Sequence, residues 1–202
     1  MNIAVFCSGK GTNLQAIINA VKSKKINAGI KLIIADKGNA LSLKRAEKVG
    51  IKAMFIDPKR FKSKELFDKE AIKYLKKEKV ELVVLAGFMR ILSPYFIKKY
   101  KNRILNVHPA LLPSFKGSRA IKDALDNGAK VTGVTVHFVS EEVDSGPIIL
   151  QEAVKVLNRE SYASLEKKIH KVEHRLYPLA IKLFCEGRLK VSGRKVIYER
   201  KQ

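Results

Sequence analysis

The feature that most constrains this chain is an alternation of short apolar runs with longer segments of helical periodicity. Residues 2–7, 30–35, 52–56 and 82–86 are runs of strand length, apolar but for Asn2, Lys31 and Lys52. Between them, segments 14–21, 41–49 and 63–79 space their apolar residues by three and four, as in Leu14, Ile17, Ile18 and Val21 or Phe67, Ala71, Tyr74 and Leu75. A strand apolar on both faces has to be covered on both faces, the condition of a parallel sheet flanked by helices. The expected fold is therefore α/β: a single domain over 1–202, Rossmann-like, with a mostly parallel sheet and helices on both faces. Further on, 131–139 and 147–156 read as a hairpin-like strand pair, and 161–184 as a long helix with Leu165, Ile169, Val172, Leu176, Leu179 and Leu183 as its core stripe. Segments 188–191 and 195–198 around Ser192-Gly193 form a C-terminal antiparallel extension.

Length and composition support one large core: 202 residues, 46% of them hydrophobic, are enough to bury it. No apolar run approaches the roughly 20 residues of a membrane helix, and the N-terminus enters a strand without a leader, so a cytoplasmic protein with no membrane partner is expected. Cys7 and Cys185 lack metal-ligand spacing and read as reduced core residues. The net charge of +22 raises the question of nucleic acid. Its lysines are spread over polar helix faces, as at Lys62, Lys64, Lys69, Lys73, Lys76 and Lys77, with no basic tail or aromatic interleaving. A solvated surface accounts for them better than a nucleic-acid partner does.

Three stretches stand apart from this regular pattern. Ser8-Gly-Lys-Gly-Thr-Asn13 leads from a strand straight into a helix, where backbone N–H groups and the positive dipole end suit an anion such as phosphate. Gly9 and Gly11 clear the approach, and Thr12 or Asn13 is expected to cap the helix. The dinucleotide fingerprint fails at Leu14 and the P-loop spacing is absent, which leaves Asp36 as a weak imitation of a ribose-binding acid. Next, Gly87-Phe-Met-Arg-Ile-Leu92 stays apolar past its strand, and Met89, Ile91 and Leu92 could flank a flat heteroaromatic ring. Last, Asn106-Val-His-Pro-Ala-Leu-Leu-Pro113 places a carboxamide and an imidazole two positions apart at a strand exit, stiffened by two prolines. Such a pair suits chemistry at a carbonyl carbon, the amide facing a developing oxyanion and the imidazole a proton. Taken alone, the pair is better explained by side chains satisfying backbone groups. His137 reads as a satisfied structural histidine, and residues 140–147 as a loop. All three stretches fall at carboxyl ends of strands, where open α/β sheets bind ligands.

With Asp144 added to Asn106 and His108, the chain resembles the folate-dependent formyltransferases, most nearly the type that formylates glycinamide ribonucleotide. The resemblance runs nearly from end to end through Ser8 to Asn13, Leu85-Ala-Gly-Phe-Met-Arg-Ile-Leu-Ser-Pro94, Asn106 to Pro113, Val136-His-Phe-Val139, Val143-Asp-Ser-Gly-Pro147 and Glu186-Gly-Arg-Leu-Lys190. It implies transfer of the formyl group of 10-formyltetrahydrofolate to the amino group of 5'-phosphoribosylglycinamide, in de novo purine synthesis and without a metal. By the same resemblance, Asn106 and His108 stabilise the oxyanion, His108 donates the proton, and Asp144 raises the pKa of His108. Gly11, Thr12 and Asn13 hold the substrate phosphate, and Glu173 holds the ribose hydroxyls. The folate contacts are Lys64, Met89, Arg90, Ile91, Leu92, Asn106, Ser140, Glu141, Val143 and Asp144. Residues 1–100 then form a phosphate-binding half and 101–202 a catalytic and folate-binding half.

Lys64 stands where the family often has arginine, which keeps the charge and loses the bidentate fork. Ala110 replaces a common serine, and residues 117–121 lack histidines that some members carry, so that segment receives no catalytic role. Methionyl-tRNA formyltransferase and formyltetrahydrofolate deformylase share the Asn/His/Asp chemistry. The first type carries an additional C-terminal domain and the second an N-terminal regulatory domain, whereas here a strand begins at residue 2 and the sequence ends soon after Tyr198, so both are expected only as minor alternatives. A basic nucleic-acid-binding module would explain the charge and leave Asn106, His108 and Asp144 unexplained. A monomer or homodimer acting on small molecules is the expectation.

Overall fold

The computed structural model describes residues 1–199. Its contacts divide the chain into two units, Met1–Leu105 and the residues from Asn106 onward. In the first unit the elements run β1 (Asn2–Cys7), α1 (Thr12–Lys22), β2 (Gly29–Ala35), α2 (Leu41–Glu47), β3 (Ala53–Phe55), a 3-10 turn (Pro58–Arg60), α3 (Lys64–Lys77), β4 (Leu82–Leu85) and α4 (Pro94–Lys99). β5 (Ile104–His108) ends this unit and begins the next. The second continues with α5 (Ala120–Asp126), β6 (Val131–Phe138), β7 (Ile148–Lys155), α6 (Tyr162–Cys185), β8 (Leu189–Ser192) and β9 (Lys195–Tyr198). Hydrogen-bonded neighbours follow the order β3-β2-β1-β4-β5-β6-β7, and β8 pairs with β9 in a separate antiparallel sheet. β1 is parallel to both β2 and β4, and β2 to β3, whereas β6 and β7 are antiparallel. The α/β expectation, with a mostly parallel sheet and an antiparallel C-terminal extension, holds.

Ile3 to Cys7 and Leu32 to Ala35 are fully buried, as unbroken apolar strands require. Phe6 meets Phe88 and Phe96 edge to face at 5.3 and 5.8 Å, so the segment after β4 is anchored by an inward ring. The Cys7 thiol, enclosed by this packing, is pushed up to about 12 by burial. Cys185 is half-buried, and among the described residues neither cysteine is in a disulfide.

Helix positions follow the amphipathic pattern with instructive departures. Ser63, Ser93 and Ser161 cap α3, α4 and α6 by accepting the amides of Leu66, Phe96 and Ser164. Tyr74 is half-buried, while Asp68 and Ile72 lie inward. In α6 the expected stripe gains Glu173, Tyr177, Ala180 and Ile181, but Leu179 is exposed. Steps of four and three from Ile169 lead through Glu173 and Leu176 to Ala180, so Leu179 sits one position off the 3.6-residue stripe. Among the described residues, no helix is long and apolar enough to cross a membrane.

Candidate active site

In the first unit, the turn after β1 is built from backbone. Gly11, at φ 69°, is the N-cap of α1 and makes no side-chain cap, so the expected capping by Thr12 or Asn13 is corrected: both lie inside the helix. The left-handed backbone favours glycine here. A Cβ on Gly11 would stand 3.0 Å from the Ser42 Cβ, whereas Gly9 opens onto empty space. Two bonds from α2 hold the turn, Ser42 N–H to the Gly9 carbonyl at 3.3 Å and Arg45 Nε to the Lys10 carbonyl at 2.9 Å. The Gly11 carbonyl accepts the Gln15 amide at 2.9 Å, which starts the helical ladder. The amides of the first helical turn precede that ladder and point away from it, the arrangement that receives an anion.

The segment at 87–92 is pinned at both ends. Ser8 donates its amide to the Gly87 carbonyl at 3.1 Å, and its hydroxyl accepts the Met89 amide at 2.8 Å. The buried Asp68 accepts the Ser93 amide at 2.6 Å. Burial raises the pKa of Asp68 against the lowering effect of Ser93, Arg90 and Lys64. Between the pins Phe88 and Leu92 turn inward, while Met89 and Ile91 are 65% and 58% exposed. Arg90 lies over the Phe67 ring at 4.8 Å. Lys64, the first residue of α3, is exposed.

The second unit gathers the ionisable groups. β5 runs on to His108, so Asn106 and His108 are the carboxyl-terminal residues of the strand on one face, at its exit as expected. His108 is 3% exposed, and each ring nitrogen faces an acceptor: Nδ1 is 3.3 Å from Asp144 Oδ2, and Nε2 is 2.8 Å from the Phe115 carbonyl. Asp144 does raise the pKa of His108 as expected, but not by enough to set the direction. Burial dominates and lowers it, while Asp144, the Phe115 carbonyl and Glu173 only oppose that fall. A charged ring satisfies both acceptors, and a neutral ring satisfies one. Burial would also raise the Asp144 carboxyl, but His137, the Gly117 amide at 2.9 Å and the His108 charge hold it at about 2.

His137, expected to be merely structural, fixes Asn106. Its Nδ1 lies 2.8 Å from the Phe138 carbonyl, which assigns the proton to Nδ1 and leaves Nε2 as an acceptor. Nε2 is 3.2 Å from Asn106 Nδ2, so one amide proton is taken and the orientation of the carboxamide is set. The same Nε2 is 3.7 Å from Asp144 Oδ1, beyond direct hydrogen bonding. Asp144 and Phe115 both have left-handed backbone, at φ 50° and 52°, and Gly117 has φ 93°. Phe115 and Gly117 therefore contribute backbone groups to the His108–Asp144 pair, a role not expected for the Gly117 segment. Side-chain type carries no signal for such contacts.

The 109–113 stretch is latched from β6 and β7. The Thr135 hydroxyl donates to the Ala110 carbonyl at 2.7 Å and accepts the Leu112 amide at 3.0 Å. Gln151 donates to the Leu112 carbonyl and to Thr135, each at 2.9 Å. Gly133 lets Leu111 close in, since a Cβ there would lie 2.6 Å from Leu111 Cδ2. In the 140–146 loop, Ser140 donates to the Glu142 carbonyl at 3.0 Å, Glu141 and Val143 are exposed, and Lys116 reaches Glu142 at 3.0 Å and Ser145 at 2.6 Å. Glu173, 4% exposed on α6, lies 2.9 Å from His170 Nδ1.

Residues 1–181 match the family model described as formyl transferase. The chain is 44% identical over 191 residues to the phosphoribosylglycinamide formyltransferase of Escherichia coli K12, covering 95% of this chain and 90% of that protein. It is 46% identical over 192 residues to the trifunctional purine biosynthetic protein adenosine-3 of Gallus gallus, covering 95% of this chain but only 19% of that much longer protein. The crystal structure of glycinamide ribonucleotide transformylase 1 from Symbiobacterium toebii superposes with a TM-score of 0.97 at 44% identity, over 99% of this chain and 94% of that one. On sequence and fold together, the chain belongs to the formyl transferase family.

Proposed function

We propose that this protein transfers the formyl group of 10-formyltetrahydrofolate to the amino group of 5'-phosphoribosylglycinamide, giving formylglycinamide ribonucleotide and tetrahydrofolate in purine synthesis. The observation that carries the reading is the set Asn106, His108, His137 and Asp144, in which two buried imidazoles meet a half-buried carboxamide and a half-buried carboxylate, the carboxamide oriented by His137 and the carboxylate 3.3 Å from His108. Relatives named for this activity match nearly the full chain and support the substrates.

The amine attacks the formyl carbon, a C–N bond forms, and the carbonyl oxygen becomes an oxyanion. The remaining amide proton of Asn106 faces that charge, and the positive charge that His108 acquires stabilises it electrostatically. His108 takes the proton released by the attacking amine and delivers it to the departing folate nitrogen, as the old C–N bond breaks. Its lowered pKa leaves the ring neutral before reaction and makes the imidazolium a stronger acid towards the folate nitrogen, and ionised Asp144 stabilises the charge that appears only during reaction. Gly11, Thr12 and Asn13 hold the phosphate by backbone, and Glu173 receives the ribose hydroxyls. Lys64, Met89, Arg90, Ile91, Leu92, Asn106, Ser140, Glu141, Val143 and Asp144 contact the folate, whose flat ring lies against exposed Met89 and Ile91. We assign residues 1–202 to one formyltransferase domain, its first 100 residues binding phosphate and the rest binding folate and catalysing. The setting is cytoplasmic, and the partners are small molecules.

The test is an absorbance assay of folate deformylation with and without glycinamide ribonucleotide. Turnover that requires the ribonucleotide and disappears in His108→Ala supports the reading. Turnover without it indicates hydrolysis, and none with both substrates present overturns the assignment.

A further inference from the structure

We propose that Ser8 is a positioning residue that couples the anion-binding turn to the 87–92 segment, so that phosphate at the turn tightens folate binding at Met89 and Ile91. The inference rests on the proposed reading of those two elements and adds the link between them. Ser8 follows the last residue of β1 and opens the turn, and it is 3% exposed. It holds the neighbouring segment twice, through its amide to Gly87 at 3.1 Å and its hydroxyl to Met89 at 2.8 Å. The two bonds bracket Phe88, whose ring is already fixed against Phe6 at 5.3 Å. Met89 itself is 65% exposed, so its side chain gains little order from packing. Its amide bond to Ser8 is the nearest restraint on how that side chain is presented.

The turn is the other end of this link. The first-turn amides of α1 have no acceptor within the helical ladder and Gly9 opens onto empty space, so an anion gathers on the segment that Ser8 opens. A restraint added there acts on Ser8 and, through its two bonds, lowers the entropy that the second ligand has to remove from 87–92. Linkage makes the effect reciprocal: folate tightens the ribonucleotide by the same factor. Asp68 holds the far end of the segment, at Ser93, from α3 rather than from the turn, so it serves as a control.

The full chain tests this in two measurements. Exchange of the Met89 amide is followed with and without inorganic phosphate, in the parent protein and in Ser8→Ala. Phosphate is expected to slow that exchange several-fold in the parent and to leave it unchanged in Ser8→Ala, with Ser8→Thr restoring the response. Separately, folate affinity is measured with and without saturating ribonucleotide. The ratio, several-fold in the parent, is expected to fall towards one in Ser8→Ala. If Ser8→Ala does not fold, Ser8→Cys, which keeps the volume and weakens the acceptor, is read by the same two numbers. A parent protein whose Met89 amide ignores phosphate, or a variant that keeps the parent's ratio, overturns the proposal. Phosphate-dependent protection without formyl transfer would leave the coupling standing and sink the activity reading.

Discussion

The first unit presents the groups we assign to ligand binding mainly through backbone, and the second through ionisable side chains set in or beside the core. Around 8–13 and 87–92, the groups that matter are amides, two glycines at positive φ and a serine hydroxyl. Around β5 and β6 they are His108, His137 and Asp144, with Glu173 buried on α6. A fixed phosphate charge is met well by neutral dipoles, which need no partner when the ligand leaves. Charge that appears and vanishes during a reaction needs groups whose own protonation can change, and burial amplifies their effect. The difference in chemistry explains why one unit can be built from glycine and the other cannot.

Variants should separate the two units by the kinetic constant they change. His108→Ala is expected to lower kcat by about 10^3-fold, the scale of a lost proton carrier, with little change in ribonucleotide KM. A variant that stays folded and retains parental turnover would break the contrast at its strongest point. Asn106→Ala should lower kcat by about 10^2-fold, the scale of one lost oxyanion donor. His137→Ala should lower kcat less, since it frees the carboxamide without removing it. Should His137→Ala cost more than Asn106→Ala in steady-state assays, His137 acts on the substrate directly.

Gly11→Ala sharpens the other side. Its φ of 69° and the 3.0 Å approach to Ser42 should cost about 1–2 kcal/mol of stability by chemical denaturation. Ribonucleotide KM should rise while kcat stays near the parental value. An unchanged KM would remove the turn from the binding assignment.

The smallest expected effect is in pH dependence. The folded His108 pKa lies below its ordinary 6.5, so the unfolded chain takes up the proton first and stability falls as pH drops through 6.5. Asp144, held at about 2 against an ordinary 3.8, contributes stability above pH 3.8 and loses it only as pH approaches 2. Between pH 7 and 5, Tm should therefore decline less in His108→Gln than in the parent. An equal or steeper decline in the variant would show that His108 is not the group that burial holds neutral.

Much of the fold and part of the site are legible in the amino-acid sequence. Ile3 to Cys7 and Leu82 to Leu85 are apolar throughout, and a run with no polar face has one stable place, inside a covered sheet. Glycines between a strand and a helix announce an amide-lined turn, and Asn106 and His108 share a face because strand side chains alternate. Periodicity alone misplaces Leu179, whose neighbours one position on carry the stripe.

What the tertiary structure alone decided is the environment of those side chains. His108 has a lowered pKa because β5 is enclosed, and the desolvation outweighs an attraction that chemical type suggests would win. His137 became the partner of Asn106 through the pairing of distant strands, and Phe115 and Gly117 entered the site through backbone atoms. Side-chain pattern reports what a residue can do, since polarity and periodicity are local. Which groups lose water, and which carbonyl meets which ring nitrogen, depends on segments far apart in the chain. Those terms exist only once the chain has folded.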